Sequence, residues 1–334
     1  MESNTQAIPS IAVDSSDHLH VVWYGKATGF TAEYQVWYNK YDGSWADPVR
    51  ISDYAGMQSY SQRYPSIAVD GSDNLHVVWD GMATGFTADA QIWYAKYTDS
   101  WSEPIRISTL AGMEDYEQLQ PAIAVDSNDY IHVIWDGGAV YSKIRYAKYD
   151  GAWAEPIILS TYDGMTAHSQ GGASIAIDSN DYVHVVWDGQ ATGFTSGDQI
   201  WYNKYDGSWA GPVRISDYAG MGSYGQSYPS IAVDASNAVH VLWHGKATGY
   251  IDFEKIWRAK YVTSWGTPEL LQDMESDLSH PNLRWSRYPS SNIPYAGVDY
   301  VFFEGTNLYW DEKDKPFPVG MRGLNPAFIE MLGY

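Results

Sequence analysis

Hydrophobic and polar positions along this chain fall into short blocks that return again and again. In one block Ile67-Ala68-Val69 is followed by the polar run Asp70-Gly71-Ser72-Asp73-Asn74 and then by Leu75-His76-Val77-Val78-Trp79. Two apolar segments flanking a Gly/Asp/Asn cluster predict two strands joined by a tight turn. The closing tryptophan recurs as Trp23, Trp79, Trp135, Trp187 and Trp243, at intervals of 56, 56, 52 and 56 residues. A period of this size marks a propeller, solenoid or array, in which each unit buries its core against its neighbours.

Each repeat carries four strand signals. In the first they are Ile11-Ala12-Val13 (A), Leu19 to Trp23 (B), Gln35 to Tyr41 (C) and Pro48 to Ser52 (D). Strands B and C do not alternate between apolar and polar positions, so both faces of each sheet are expected to be covered. The expectation is an all-β, six-bladed β-propeller of four-stranded antiparallel blades, with five or seven blades as alternatives. It forms one domain over 1–334, with repeats at about 8–63, 64–119, 120–171, 172–227 and 228–280. A degenerate sixth spans 281–322, with strand A at 281–285, B at 298–305, C at 307–310 and a fourth strand at 316–321 or absent. In the tail, 323–334, Asn325 as N-cap, Pro326 at the first turn and Gly333 past the end predict a short helix.

Composition narrows the chemistry. The chain has 28 Tyr and 16 Trp against 8 Phe, residues that offer a large apolar face with a polar handle. A net charge of −21 argues against nucleic acid and anionic membranes, and leaves neutral ligands and cations as partners. With no Cys there is no disulfide framework and no thiol chemistry. No apolar run approaches the length of a membrane span, and Met1-Glu2-Ser3-Asn4 shows no signal-peptide pattern. A mature secreted form, a cytoplasmic protein and a virion component all remain open, with an extracellular, cell-surface or virion setting favoured.

The C–D turn reads Asp42-Gly43-Ser44-Trp45-Ala46-Asp47-Pro48 and returns as Asp150-Gly151-Ala152-Trp153 and Asp206-Gly207-Ser208-Trp209. It has decayed at Thr98-Asp99-Ser100-Trp101 and Val262-Thr263-Ser264-Trp265. This resembles the Asp-box (BNR) repeat of sialidase-like propellers, in a shortened form covering five blades. The resemblance implies the propeller architecture. A sialidase would also need an arginine triad, a Tyr–Glu nucleophile pair and an Asp acid/base. Where that family carries Arg-Ile-Pro before the first strand A, this chain has Gln6-Ala7-Ile8-Pro9. Arg63-Tyr64-Pro65 and Arg287-Tyr288-Pro289 echo the motif in other blades. The reading is therefore a non-catalytic, lectin-like member and not an enzyme.

In a propeller the D–A and B–C loops share one face, and here both are long and repeated. The B–C loop reads Gly25-Lys26-Ala27-Thr28-Gly29-Phe30-Thr31 and is shortened in the third blade to Gly137-Gly138-Ala139-Val140-Tyr141. The D–A loop ends on Gln6, Gln62, Gln118, Gln170 and Gln226, preceded by Tyr60, Tyr116, His168 and Tyr224. Amide groups beside flat aromatic rings suit hydroxyl-rich ligands such as sugars. The predicted ligand-binding set is these nine residues with Lys26, Thr28 and Phe30. The competing reading is that each Gln satisfies backbone groups of the adjoining blade.

No resident cofactor is expected. The strand-B histidines, His20, His76, His132, His184 and His240, lie a full blade apart and read as buried hydrogen-bonding groups, not as a metal site. The A–B turns, such as Asp126-Ser127-Asn128-Asp129, offer oxygen ligands for Ca²⁺ but lack a later Glu, so they read as Asx turns. The function expected is multivalent carbohydrate binding on the long-loop face. A structural or protein-binding propeller and a sialidase-type exo-glycosidase are the alternatives.

Overall fold

A computed structural model of the chain describes residues 5–54, 56–162, 164–272, 301–304 and 307–310. Among the described residues, five four-stranded antiparallel sheets follow one another in chain order, each a simple meander. The first consists of β1 (Gln6–Val13), β2 (Leu19–Ala27), β3 (Phe30–Tyr41) and β4 (Val49–Arg50); the second of β5 (Gln62–Val69), β6 (Leu75–Ala83), β7 (Phe86–Tyr97) and β8 (Ile105–Arg106). The third is β9 (Gln118–Val125), β10 (Ile131–Gly137), β11 (Lys143–Tyr149) and β12 (Ile157–Ile158). The fourth is β13 (Gln170–Ile177), β14 (Val183–Ala191), β15 (Phe194–Tyr205) and β16 (Val213–Arg214). The fifth is β17 (Gln226–Val233), β18 (Val239–Ala247), β19 (Tyr250–Tyr261) and β20 (Glu269–Gln272).

Of the degenerate repeat, the described residues form a hairpin of β21 (Val301–Glu304) and β22 (Asn307–Trp310). Its strand A, its fourth strand and the C-terminal helix lie outside the described residues. Two compact units are distinguished: one runs up to Val140 and includes Arg145–Ile158, the other takes Tyr141–Ile144 and the chain from Leu159.

The strand boundaries differ from the sequence reading: in the first repeat β1, β2 and β3 are longer than expected, and β4 narrows to Val49–Arg50. The B–C segment is not a loop. β2 and β3 pair through to Ala27 and Phe30, leaving Thr28-Gly29 as a two-residue turn with Gly29 at φ +85°. Glycine tolerates that left-handed conformation without steric cost, so the hairpin extends past the predicted strand end. Strand A likewise begins early, at the conserved-register Gln: Gln62 pairs with Gly81, and a bulge between Arg63 and Ser66 restores the register. The bulge puts Tyr64 at φ +50°, Gln120 at +51° and Tyr228 at +53°.

The sheets pack through both faces, as the lack of alternation predicted. Val77, Val78 and Trp79 of β6 are all fully buried. Within the first unit one core joins Val22 and Tyr38 of the first sheet to Val77 and Trp93 of the second. The turn tryptophan wedges between sheets: Trp101 meets Tyr38 edge-on at 5.1 Å, and Trp153 meets Tyr94 at 5.1 Å. In the second unit Trp265 meets Tyr202 at 4.8 Å.

At the A–B end each turn is an Asx turn. Asp70 Oδ1 accepts from the backbone N–H of Ser72 and Asn74 at 2.9 and 2.8 Å. Its other oxygen lies 3.0 Å from His76 Nε2, while His76 Nδ1 lies 2.8 Å from the Tyr94 hydroxyl. The same Asp–His–Tyr chain joins Asp14, His20 and Tyr38. It recurs in Asp178, His184 and Tyr202. Burial lowers the pKa of His76 and of His184. Burial alone would raise Asp14, but hydrogen bonds from His18, His20 and Ser16 outweigh it and hold the carboxyl at about 2.

Candidate functional site

The structure places the repeated site candidates inside the scaffold. Gln62, Gln118, Gln170 and Gln226 are buried and Gln6 half-buried. Each amide oxygen accepts the indole N–H of the repeat tryptophan: Gln62 from Trp79 at 3.0 Å, Gln118 from Trp135 at 2.8 Å, Gln226 from Trp243 at 2.9 Å. The amide nitrogen of Gln62 donates to the carbonyls of Met82 and Tyr60 at 2.7 and 3.2 Å. Carbonyl oxygens from the preceding loop and from the β-hairpin are thereby satisfied, which is the scaffold role weighed against ligand contact. Both N–H groups of the Gln62 amide are spent on carbonyls, and its oxygen accepts an indole N–H in a fully buried setting.

The aromatic residues just upstream are half-buried: Tyr60, Tyr116, His168 and Tyr224. Each supplies its carbonyl to the following Gln. Of the hairpin candidates, Lys26 donates from Nζ to Ala32 O at 3.0 Å and lies 4.9 Å from the Tyr34 ring centre. Thr28 is exposed at the turn. Phe30 is sandwiched, with Arg50 4.4 Å from its ring centre and Trp37 at 5.8 Å.

A further set of side chains gathers where the repeats differ. Near the start of strand A and the end of strand B, Tyr24, Asp80, Asp136, Asp188 and His244 occupy one repeat position, and Ile8, Tyr64, Gln120, Gly172 and Tyr228 another. In the first unit Tyr24 lies 5.3 Å from Tyr34, edge to face, and 5.7 Å from Tyr64. The exposed Arg63 stands 5.2 Å from the Tyr34 ring centre. Arg63 pairs across the strands with Asp80, whose Oδ1 accepts the N–H of Gln120 at 3.0 Å. Three half-buried tyrosines with Lys26 and Arg63 at their edge thus form a polar-rimmed aromatic patch.

Asp80 is 3% exposed. Burial pushes its carboxyl up to about 8; the Gln120 N–H works against this and neighbouring Asp136 reinforces it. Burial also raises Tyr24. The positive φ at Tyr64 and Gln120 is shared by Ile8, Gly172 and Tyr228 at the same repeat position, so it belongs to the bulge and not to this cluster.

The second unit has its own version. Tyr228, 49% exposed, donates its N–H to Asp188 Oδ2 at 2.9 Å and stacks on the His244 ring at 5.1 Å and 11°. His244 Nδ1 lies 2.6 Å from Glu254 Oε2, and its buried Nε2 has no partner among the described residues. No group of three His, Cys, Asp or Glu among the described residues is arranged to hold a metal ion.

Sequence reasoning met Arg63 and Tyr64 only as an echo of a family motif and passed over Tyr24, Asp80, Asp188 and His244, because it followed what the repeats share. The usable signal was the reverse, unlike residues at one repeat position.

No protein-family model and no curated protein sequence matches the chain. Solved structures do. An ulvan lyase from a new polysaccharide lyase family, solved with a GlcA-containing saccharide, superposes with a TM-score of 0.59 at 12% identity, over 89% of this chain and 78% of its own. The leech intramolecular trans-sialidase gives 0.56 at 8% identity, over 89% of this chain and 64% of its own. The α-L-arabinanase of Penicillium chrysogenum, complexed with arabinobiose, gives 0.51 at 11%, over 72% of this chain and 77% of its own. At these identities the likeness is one of fold, an all-β architecture shared with sialidase-like propellers.

Proposed function

We propose that the protein is a carbohydrate-binding β-propeller of six blades, and that it recognises its glycan without transforming it. The observation that carries this is the Tyr24–Tyr34–Tyr64 patch edged by Arg63 and Lys26. Half-buried tyrosine faces give sugar rings an apolar platform, and the flanking cations give hydroxyls fixed donors. The fold neighbours support the ligand class, since the lyase and the arabinanase were each solved with a saccharide bound. The site expected from the repeated loops thus shifts inward, from the glutamines to the positions where blades differ.

A glycan array probed with the full chain tests this. Binding is expected, and Tyr24→Ala combined with Arg63→Ala should weaken it at least tenfold while the melting temperature holds. No binding at any glycan density would sink the reading.

One observation favours a second reading, glycan cleavage. Asp80 is a buried carboxyl with its pKa raised to about 8, the state required of a general acid. A panel of chromogenic glycosides and polysaccharides separates the two readings: turnover lost in Asp80→Asn would make the protein an enzyme.

A further inference from the structure

The third repeat departs from the others in a coordinated way. In the second, fourth and fifth repeats a loop tyrosine packs on the strand-C tryptophan: Tyr54 on Trp93 at 5.8 Å, Tyr162 on Trp201 at 4.9 Å, Tyr218 on Trp257 at 5.2 Å. A hairpin aromatic covers the same tryptophan, as Phe86 does at 6.0 Å, and Arg106 closes the stack 4.2 Å above Phe86. In the third repeat all four layers change. Leu110 stands for the tyrosine, Arg145 for the tryptophan and Ile158 for the arginine, and the hairpin that would carry the phenylalanine is missing.

Arg145 keeps the tryptophan's backbone contact. Its Nε donates to Gly137 O at 3.2 Å, as Trp93 Nε1 donates to Gly81 O at 2.9 Å. Its Nη2 donates to the Tyr116 hydroxyl at 2.9 Å, and the guanidinium lies 5.5 Å from the Tyr116 ring centre. A guanidinium carries five N–H donors, so two are used and about three remain, more than a bidentate partner needs. Among the described residues none accepts them, and no carboxylate lies within ion-pair distance of Arg145. Glu114, in the adjacent loop, is turned to Arg106 at 3.8 Å.

The loop beside it is also uncovered. A Cβ on Gly56 would meet Thr84 Oγ1 at 2.3 Å, whereas one on Gly112 would meet nothing within 4 Å, because the third hairpin has no such threonine. Arg145 is only 5% exposed, and burial pulls its pKa below the ordinary arginine value. A cation kept this dry without a counter-ion is costly, and a bound anion would relieve the cost.

We propose that this recess in the third repeat binds the anionic group of an acidic saccharide, a carboxylate or a sulfate ester, through the free N–H groups of Arg145 with Tyr116 alongside. The saccharide part rests on the carbohydrate reading above; the anion site does not.

The test is a titration of the full chain, followed by NMR or calorimetry, with glucuronate, glucose 6-sulfate, glucose, acetate and inorganic sulfate. Glucuronate or glucose 6-sulfate should bind at least tenfold more tightly than glucose, and the better of the two identifies the anionic group. The advantage should vanish in Arg145→Trp, which restores the residue used by the other four repeats, with the melting temperature of that variant equal to or above the parent's. Equal binding of glucose and glucuronate, or anion binding that survives Arg145→Trp, would overturn the proposal. Bare acetate or sulfate binding lost in Arg145→Trp, with neither acidic sugar bound, would overturn the saccharide ligand. Failure of the carbohydrate reading shows separately, as a blank glycan array.

Discussion

Gln62 accepts the indole N–H of Trp79 at 3.0 Å while its own amide donates to Met82 O at 2.7 Å, so one side chain ties strand A, strand B and the hairpin together. Gln62→Ala leaves the Trp79 N–H and a carbonyl unsatisfied in a fully buried setting, a cost of about 1–3 kcal/mol per orphaned group. The expected outcome is a clear fall in the urea midpoint with glycan binding kept in the folded fraction. Unchanged stability with lost binding would return Gln62 to the ligand site.

The glycines that open the loops offer a matched pair. Gly56 and Gly112 both sit at positive φ, +77° and +86°, so alanine at either incurs about 1–2 kcal/mol of backbone strain. Only at Gly56 would the new methyl also strike Thr84. Gly56→Ala should therefore lower the melting temperature by more than Gly112→Ala. Equal losses would mean that the loop at Gly112 is as covered as the loop at Gly56.

Stability should fall on the acid side. His20, His76, His184 and His240 are depressed from 6.5, first of all by burial. A histidine neutral in the fold but protonated when unfolded destabilises the fold as pH drops below 6.5. Asp14, held at about 2 against an ordinary 3.8, adds stability above 3.8 that disappears as pH falls toward 2. Urea midpoints should decline from pH 7 to pH 3, and His76→Gln should flatten the upper part of that slope. A flat profile would contradict the buried Asp–His–Tyr chains.

Much of the fold was legible because its signals are local and repeated five times. Trp79, the Asp70 turn and the strand-B histidines announce themselves by period, turn chemistry and spacing. Gln62 carries the same periodicity, which is why it looked functional: repetition marks scaffold and multivalent sites alike, and only hydrogen-bond partners separate them. Thr28-Gly29 hid a hairpin because a two-residue turn inside a polar, Gly-rich stretch looks like loop. Arg145 was visible in the sequence as the one strand-C position without tryptophan, yet its meaning depends on a missing phenylalanine, and an absence shows only when the neighbouring repeats are stacked beside it.

Asp80 gives the sharpest separation of scaffold from chemistry. Its carboxyl is raised from 3.8 to about 8, first by burial, while the Gln120 N–H pulls the other way. A carboxyl protonated in the fold but ionised when unfolded contributes stability that is complete below 3.8 and lost as pH rises through about 8. Asp80→Asn keeps an acceptor for the Gln120 N–H and removes that loss. The variant should match the parent near pH 4 and exceed it at pH 9 in urea midpoint. If Asp80 is scaffold alone, glycan binding is unchanged by the substitution at every pH. If it is a general acid, turnover falls by a factor of 10² to 10⁴ while the alkaline stability gain remains. An Asp80→Asn variant that gains nothing on the parent between pH 5 and 9 would show that Asp80 is ionised in the fold, and the general-acid reading would then fail with it.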